Sequence, residues 1–197
     1  MPRVTEAHRE ARRAQIRAAA LRAFTAKGYQ RASISDVVAE SGLSAGAIYG
    51  HYAGKQALFA AVAQEVLSRR GSEIADASRD GSPPSPIEVL TILTGGMTRD
   101  LEDGRVLVQL WAESTVDPVI HAVVQEVVAT LRGVLLDALR AWFRTRPDLA
   151  PDGADAAAGL LVPVMLGLGQ GFLMQRALLD DFDPEGYLRA AAAVLPG

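Results

Sequence analysis

Cysteine is absent from the 197 residues, which excludes disulfides, thiolate catalysis and cysteine-based zinc sites. Aromatic residues are scarce as well, 6% against a hydrophobic content of 49%, so Ala, Val and Leu must fill most of any core. Strand signals are missing: no run alternates apolar and polar residues between Asn-Gly or Asp-Gly turns. Long stretches instead repeat at three and four residues, which predicts an all-α protein. No apolar leader opens the chain, because residues 1–22 are Arg-rich, and a cytoplasmic location is the default expectation. His8, His51 and His121 are scattered, and HExxH, P-loop and nucleophile-elbow patterns are absent. No metal and no cofactor are therefore expected, and a helical enzyme stands only as an alternative, with an acid–base pair assembled in three dimensions.

Charge is present but unevenly spread. Residues 1–70 hold 11 basic and 5 acidic groups, a net of +6, whereas residues 71–197 carry a net of −9. A small basic head that meets a polyanion, followed by an acidic body that does not, fits this split. The Gly-, Ser-, Pro- and Asp-rich stretch GSEIADASRDGSPPS falls where the sign changes. It predicts a division into residues 1–70 (head), 71–85 (linker) and 86–197 (body).

In the head, Thr5 is placed to cap a helix reaching about Lys27, with Gly28 after its end. Arg9, Arg13 and Arg17 form a row along one side of it. Ser33 opens SISD, a capping-box-like start with Asp36 at the third helical position. Ser41-Gly42-Leu43 is a turn, Ser44 caps a short helix to about Gly50, and Lys55 opens a fourth helix through Leu58, Val62 and Val66. The body starts at Ser85-Pro86-Ile87-Glu88, a capping box with Pro at the first helical position. Further helices are predicted over Arg105–Thr115, from Asp117-Pro118 past Trp142, from Asp152 to about Leu179, and from Asp183-Pro184 to Pro196.

Residues 41–58, SGLSAGAIYGHYAGKQAL, combine small residues with hydroxyl, imidazole and ammonium groups and contain no acid. Two short helices around a glycine turn form a helix-turn-helix whose second helix enters the DNA major groove. Ala45, Gly46 and Ala47 let the backbone approach bases closely, while Tyr49, His51, Tyr52 and Lys55 follow where donors to phosphate belong. The head resembles the TetR family of bacterial one-component repressors. The resemblance rests on Ile16, Ala19-Ala20, Phe24, Gly28-Tyr29, Ser33-Ile34, Val37-Val38-Ala39, Gly42-Leu43-Ser44, Gly46, Ile48-Tyr49, His51-Tyr52, Lys55 and Leu58. It implies phosphate contacts from Tyr49, His51 and Lys55, Ser44 and Ala45 at the start of the recognition helix, and Tyr52 as a core anchor. Ser33 is placed in the same DNA-binding set. The recognition helix lacks the Arg, Lys, Asn or Gln that read purines bidentately. Ala45 or Ala47 against a thymine methyl, Gln30, the arginine row and DNA shape remain as sources of sequence preference.

For the body, the resemblance implies a helical effector-binding and dimerisation domain, with the last two helices building a homodimer. AAAGLLVPVMLGLGQGFLM (156–174) carries no charge over nineteen residues, which suits either a membrane span or a helix buried by its own subunit and a partner. Pro163, four glycines and the flanking acids favour the second reading. Expected dimer contacts are Leu160, Val164, Gly167, Leu168, Gly171 and Phe172, with Leu188, Ala191 and Leu195 from the last helix. A small-molecule effector is expected in an apolar pocket with a few polar groups. Candidates are Met97, Leu101, Gln109, Trp111, Glu113, His121, Gln125, Met165 and Gln175. The function expected is a ligand-responsive regulator, in the sense of a repressor, bound as a homodimer to double-stranded operator DNA and not to a membrane. The alternatives are a helical enzyme and a membrane-associated helical scaffold.

Overall fold

The computed structural model describes residues 6–78, 81–101 and 104–197, and the cap expected from Thr5 lies outside them. Among the described residues the chain is helical and has no β-strand. The helices are α1 (Glu6–Arg31), α2 (Ile34–Ser41), α3 (Ala45–Tyr49), α4 (Lys55–Asp76) and α5 (Pro86–Leu101), then α6 (Arg105–Ser114), α7 (Pro118–Arg144), α8 (Ala154–Leu178) and α9 (Pro184–Val194).

Local chemistry explains most of the boundaries. Gly28 breaks α1 near its end with φ 74° and ψ 158°, a conformation that glycine alone adopts at no steric cost. At Ser33 both halves of a capping box form: the Asp36 amide donates to Ser33 Oγ at 3.2 Å, and the Ser33 amide donates to Asp36 Oδ2 at 2.8 Å. The Ser85 amide and hydroxyl both donate to Glu88 at 2.8 Å, which fixes the start of α5. Asp117 accepts from the amides of Val119 and Ile120 and starts α7 in front of Pro118. At α8 the expected cap is corrected. Gly153, with φ 94°, takes the N-cap position instead of Asp152, and no side chain caps it.

Two apolar clusters organise the packing. The first gathers Ile16, Phe24, Val37, Ile48 and Leu58 of the head and also takes Leu101, Val106, Leu110 and Ile120 from the body. The second joins Leu90, Leu135, Leu139, Trp142 and Met165 with Ile74. Ile74 shows where the predicted linker fails: α4 continues through residues 71–76 because Ile74 is buried in the body core and Glu73 pairs with Arg70 and Arg99. The α4 helix is thus one rod shared by both cores. Helices α7 and α8 are long and apolar enough to cross a membrane, yet they pack on each other, and α8 buries Val162, Met165, Phe172 and Leu173.

Candidate nucleic-acid interface

The helix-turn-helix is built from its caps. Helix α2 ends at Gly42, which sits in the left-handed region with φ 67° and returns its amide to Val38 O at 3.0 Å. Leu43 turns inward against the head core, and Ser44 Oγ then accepts from the Ala47 amide at 3.2 Å to start α3. Only Ile48 of this five-residue helix is buried. It anchors α3 from below and leaves Ser44, Ala45 and Gly46 open to solvent. A Cβ built on Gly46 meets nothing nearer than Ser44 Oγ at 3.9 Å. Tyr49 stands beside this small-residue surface and is 56% exposed.

The head's positive charge is largely tied up. Arg22 pairs with Glu40, Lys27 with Asp36, and Arg13 with Glu10. Arg17 binds Glu10, Glu65 and the Tyr52 hydroxyl; partial burial works to lower its pKa, and these three hydrogen bonds override that and raise it. The arginine row is therefore not a uniform solvated face, since Arg17 is a strut between α1 and α4. Lys27 is the first cause of a depressed Asp36 pKa, about 2 against the usual 3.8, with the Ser33 hydrogen bonds second. A depressed folded-state pKa stabilises above the unfolded value and loses that contribution as pH falls. Ser33→Ala should cost about 1 kcal/mol at neutral pH, as N-cap removals do. Thermal melts of Asp36→Asn should also lose the part of the acid sensitivity that the parent shows between about pH 4 and 2.

Residues 16–62 match the profile of the family described as bacterial regulatory proteins, tetR family. Over this segment the head is similar to tetR-family regulators. A curated relative, the HTH-type transcriptional repressor Rv1474c of Mycobacterium tuberculosis, is 43% identical over 81 residues, 41% of this chain and 42% of that protein. The chain therefore matches less than half the length of that relative. Among solved structures, GusR of Salmonella enterica superposes with a TM-score of 0.66 at 19% identity, covering 98% of this chain and 99% of that one. A TetR-family regulator from Syntrophomonas wolfei reaches 0.71 at 15% identity over 94% and 93% of the two chains. At such identities these two likenesses speak for the fold alone.

Within the head the expected contact residues divide. Ser44, Ala45, Gly46 and Tyr49 are exposed on α3, and Ala47 and His51 are half-buried beside them. Tyr52 packs against the head core with its hydroxyl accepting from Arg17 at 3.4 Å, in the manner of a core anchor. Ser33 is exposed, but its hydroxyl is committed to Asp36, so it is a cap before it is a donor to phosphate. Lys55 departs most from expectation. Its ammonium donates to Tyr29 O at 3.0 Å and Gln30 O at 3.3 Å and lies 4.4 Å from the centre of the Tyr29 ring, which ties α4 to the end of α1. Desolvation lowers the Lys55 pKa, and burial, followed by Asp117 and Glu113, pushes Tyr29 to about 12.

The body candidates also divide. Met97, Leu101, Trp111 and Met165 line two adjoining apolar cavities of about 60 and 80 Å³. Gln109, His121, Gln125 and Gln175 are exposed and Glu113 lies outside both linings, so these five leave the candidate pocket. Gln109 packs over Gly28, whose missing Cβ makes room for its amide. His121 sits 3.1 Å from Ser114 O through Nδ1 and 2.9 Å from the Gln125 amide nitrogen through Nε2, an arrangement the neutral Nδ1–H tautomer satisfies. Along α8, Leu160 (77% exposed), Val164 (48%) and Gly167 are open, and Leu178 (65%) extends the same face. Phe172, Ala191 and Leu195 are buried within the subunit, so their place in a dimer contact is corrected. Leu168 and Leu188 pack partly against the body core, and Gly171 is covered by the Tyr187 hydroxyl, which donates to Leu168 O at 2.8 Å.

Sequence reading missed the walls of the cavities. Leu67, Leu107 and Val127 line both, yet nothing in their spacing separates a cavity wall from ordinary core.

Proposed function

We propose that the protein is a homodimeric transcriptional repressor, acting in the cytoplasm on a pseudo-palindromic operator and released by a small, largely apolar effector. The observation that carries this reading is the solvent-open, side-chain-poor surface of α3, with Tyr49 at its edge, inside a sequence segment that matches the tetR family. A helix so presented brings its backbone close to base edges while neighbouring donors hold phosphates. The named function of the Mycobacterium relative, a repressor, points the same way. Titrating the protein into labelled DNA from upstream of its own gene tests the reading. A salt-sensitive, sequence-preferring complex at sub-micromolar protein is expected, and its absence rejects the proposal.

Dimerisation is supported by the open apolar line along α8. An unpartnered ridge of Leu160, Val164 and Leu178, with Gly167 between, has the form of a surface that a second copy covers. Val164→Asp should shift sedimentation from dimer to monomer and weaken dimerisation roughly 100-fold, equivalent to about 2.7 kcal/mol. Because Val164 is exposed within its own subunit, the variant's circular dichroism should stay helical.

A further inference from the structure

The smaller cavity does not sit inside the body. Leu21, Phe24 and Thr25 of α1 form one wall, Val62 and Leu67 of α4 another, and Met97 of α5 closes it. It lies at the junction between the DNA-binding head and the body. Thr25 is the single polar side chain among its described lining residues, and its Oγ1 is buried with no hydrogen-bond partner. Three other helical threonines behave differently: Thr91, Thr94 and Thr130 donate to the carbonyls of Ile87, Leu90 and Glu126 at 2.8, 2.8 and 3.0 Å. Thr25 leaves that bond unmade and keeps a donor and two acceptor positions for something else.

We propose that this junction chamber is a ligand site in its own right, taking a neutral, slender hydrocarbon whose one hydroxyl or carbonyl group bonds Thr25. The proposal rests on the reading of the protein as a ligand-responsive regulator and adds the chemical class and the place of binding. The described walls carry no charged side chain, so a carboxylate or ammonium would lose its hydration with nothing in return. The junction chamber shares Leu67, Met97, Leu107 and Val127 with the larger cavity, which continues to Met165 and Leu173 of α8. The two volumes, about 60 and 80 Å³, are each too small for a ring, given that an apolar cavity of about 150 Å³ admits benzene. A chain that passes the flexible Met97 side chain occupies both. Such a ligand touches α1 directly, so occupancy changes the fit of head to body without first being relayed through α4.

Isothermal titration with 1-butanol, butanoate and butylamine at neutral pH tests the chemistry. Butanol should bind, and the two ions should bind at least about tenfold more weakly, as unpaired buried charge requires. Thr25→Val should reduce butanol affinity about five- to tenfold, the effect of losing one buried hydrogen bond. Ala63→Leu, which adds bulk to the junction wall, should abolish butanol binding, while Gly169→Leu, in the wall of the larger cavity alone, should shorten the chain length that binds best. If Ala63→Leu fails to fold, Thr25→Val still decides. No butanol binding, equal binding of butanoate, or unchanged affinity in Thr25→Val overturns the proposal. A gel shift run beside it separates the two readings. Protein that binds butanol through Thr25 yet never binds DNA rejects the regulator and leaves the chamber standing.

Discussion

Gly96→Ala is expected to lower folding stability by about 3–5 kcal/mol, the range for stranding a buried charge, and the melting temperature by roughly 10 °C. The reason lies in Arg70. Its side chain is 2% exposed, and its guanidinium reaches Glu73 at 2.9 Å and Asp100 at 3.1 Å, linking α4 to α5. Gly96 is the slot that admits it. A Cβ there overlaps the guanidinium and comes within 2.6 Å of Arg70 Cδ, so the side chain must leave and strand its charge away from both carboxylates. Arg70→Leu in the Gly96→Ala background should recover most of the loss, since apolar replacement of a buried ion is often neutral or better. The carboxylates keep other partners in that double variant, Asp100 with Arg69 and Glu73 with Arg99. Denaturant melts of the four species form a double-mutant cycle. A coupling near zero would show that Gly96 does not hold Arg70 in place.

Arg70 and Gly96 also mark the limit of what could be read from the chain. Helix starts were legible wherever a side chain performs the cap: Ser33 with Asp36, Ser44, Ser85 with Glu88, and Asp117 each act through atoms that their residue type announces. The helix-turn-helix was legible for the same reason, because a left-handed Gly42 between two serine-capped helices leaves little freedom. Where the deciding term is tertiary, the reading faltered. Composition ends the head at a Gly- and Ser-rich seam, yet burial of Ile74 carries α4 into it as far as Asp76. Helix α8 is apolar on all sides, so periodicity could not give its phase, and Phe172 was placed outward when it packs against Phe182 and Tyr187. Isolated polar residues in apolar helices suggest pocket groups. Gln109, His121, Gln125 and Gln175 instead occupy outer faces, while the cavity walls are made of the residue types that all cores share.

Gly46→Leu should separate folding from DNA binding. Its Cα lies on the open side of α3, where an added Cβ meets nothing nearer than Ser44 Oγ at 3.9 Å, so the substitution starts from open space in the free protein. Leucine is also the better helix former by about 0.8 kcal/mol, and the melting temperature should stay level or rise slightly. The same side chain points where a groove floor must come. Close approach is the only means by which a helix bearing Ala45, Gly46 and Ala47 can reach base edges, and several ångströms of leucine hold it away. On the proposed reading, Tyr49 and His51 would then be held off the phosphates as α3 is held off the bases, since they flank the same short helix, seated on the fully buried Ile48. Affinity for the operator should fall at least about 100-fold, worth roughly 2.7 kcal/mol, while residual binding keeps the salt dependence of nonspecific contact. Fluorescence anisotropy on operator and scrambled duplexes, with circular dichroism melts of the same preparations, reads both effects. A folded Gly46→Leu protein that binds its operator as tightly as the parent would mean that α3 is not the helix that enters the groove.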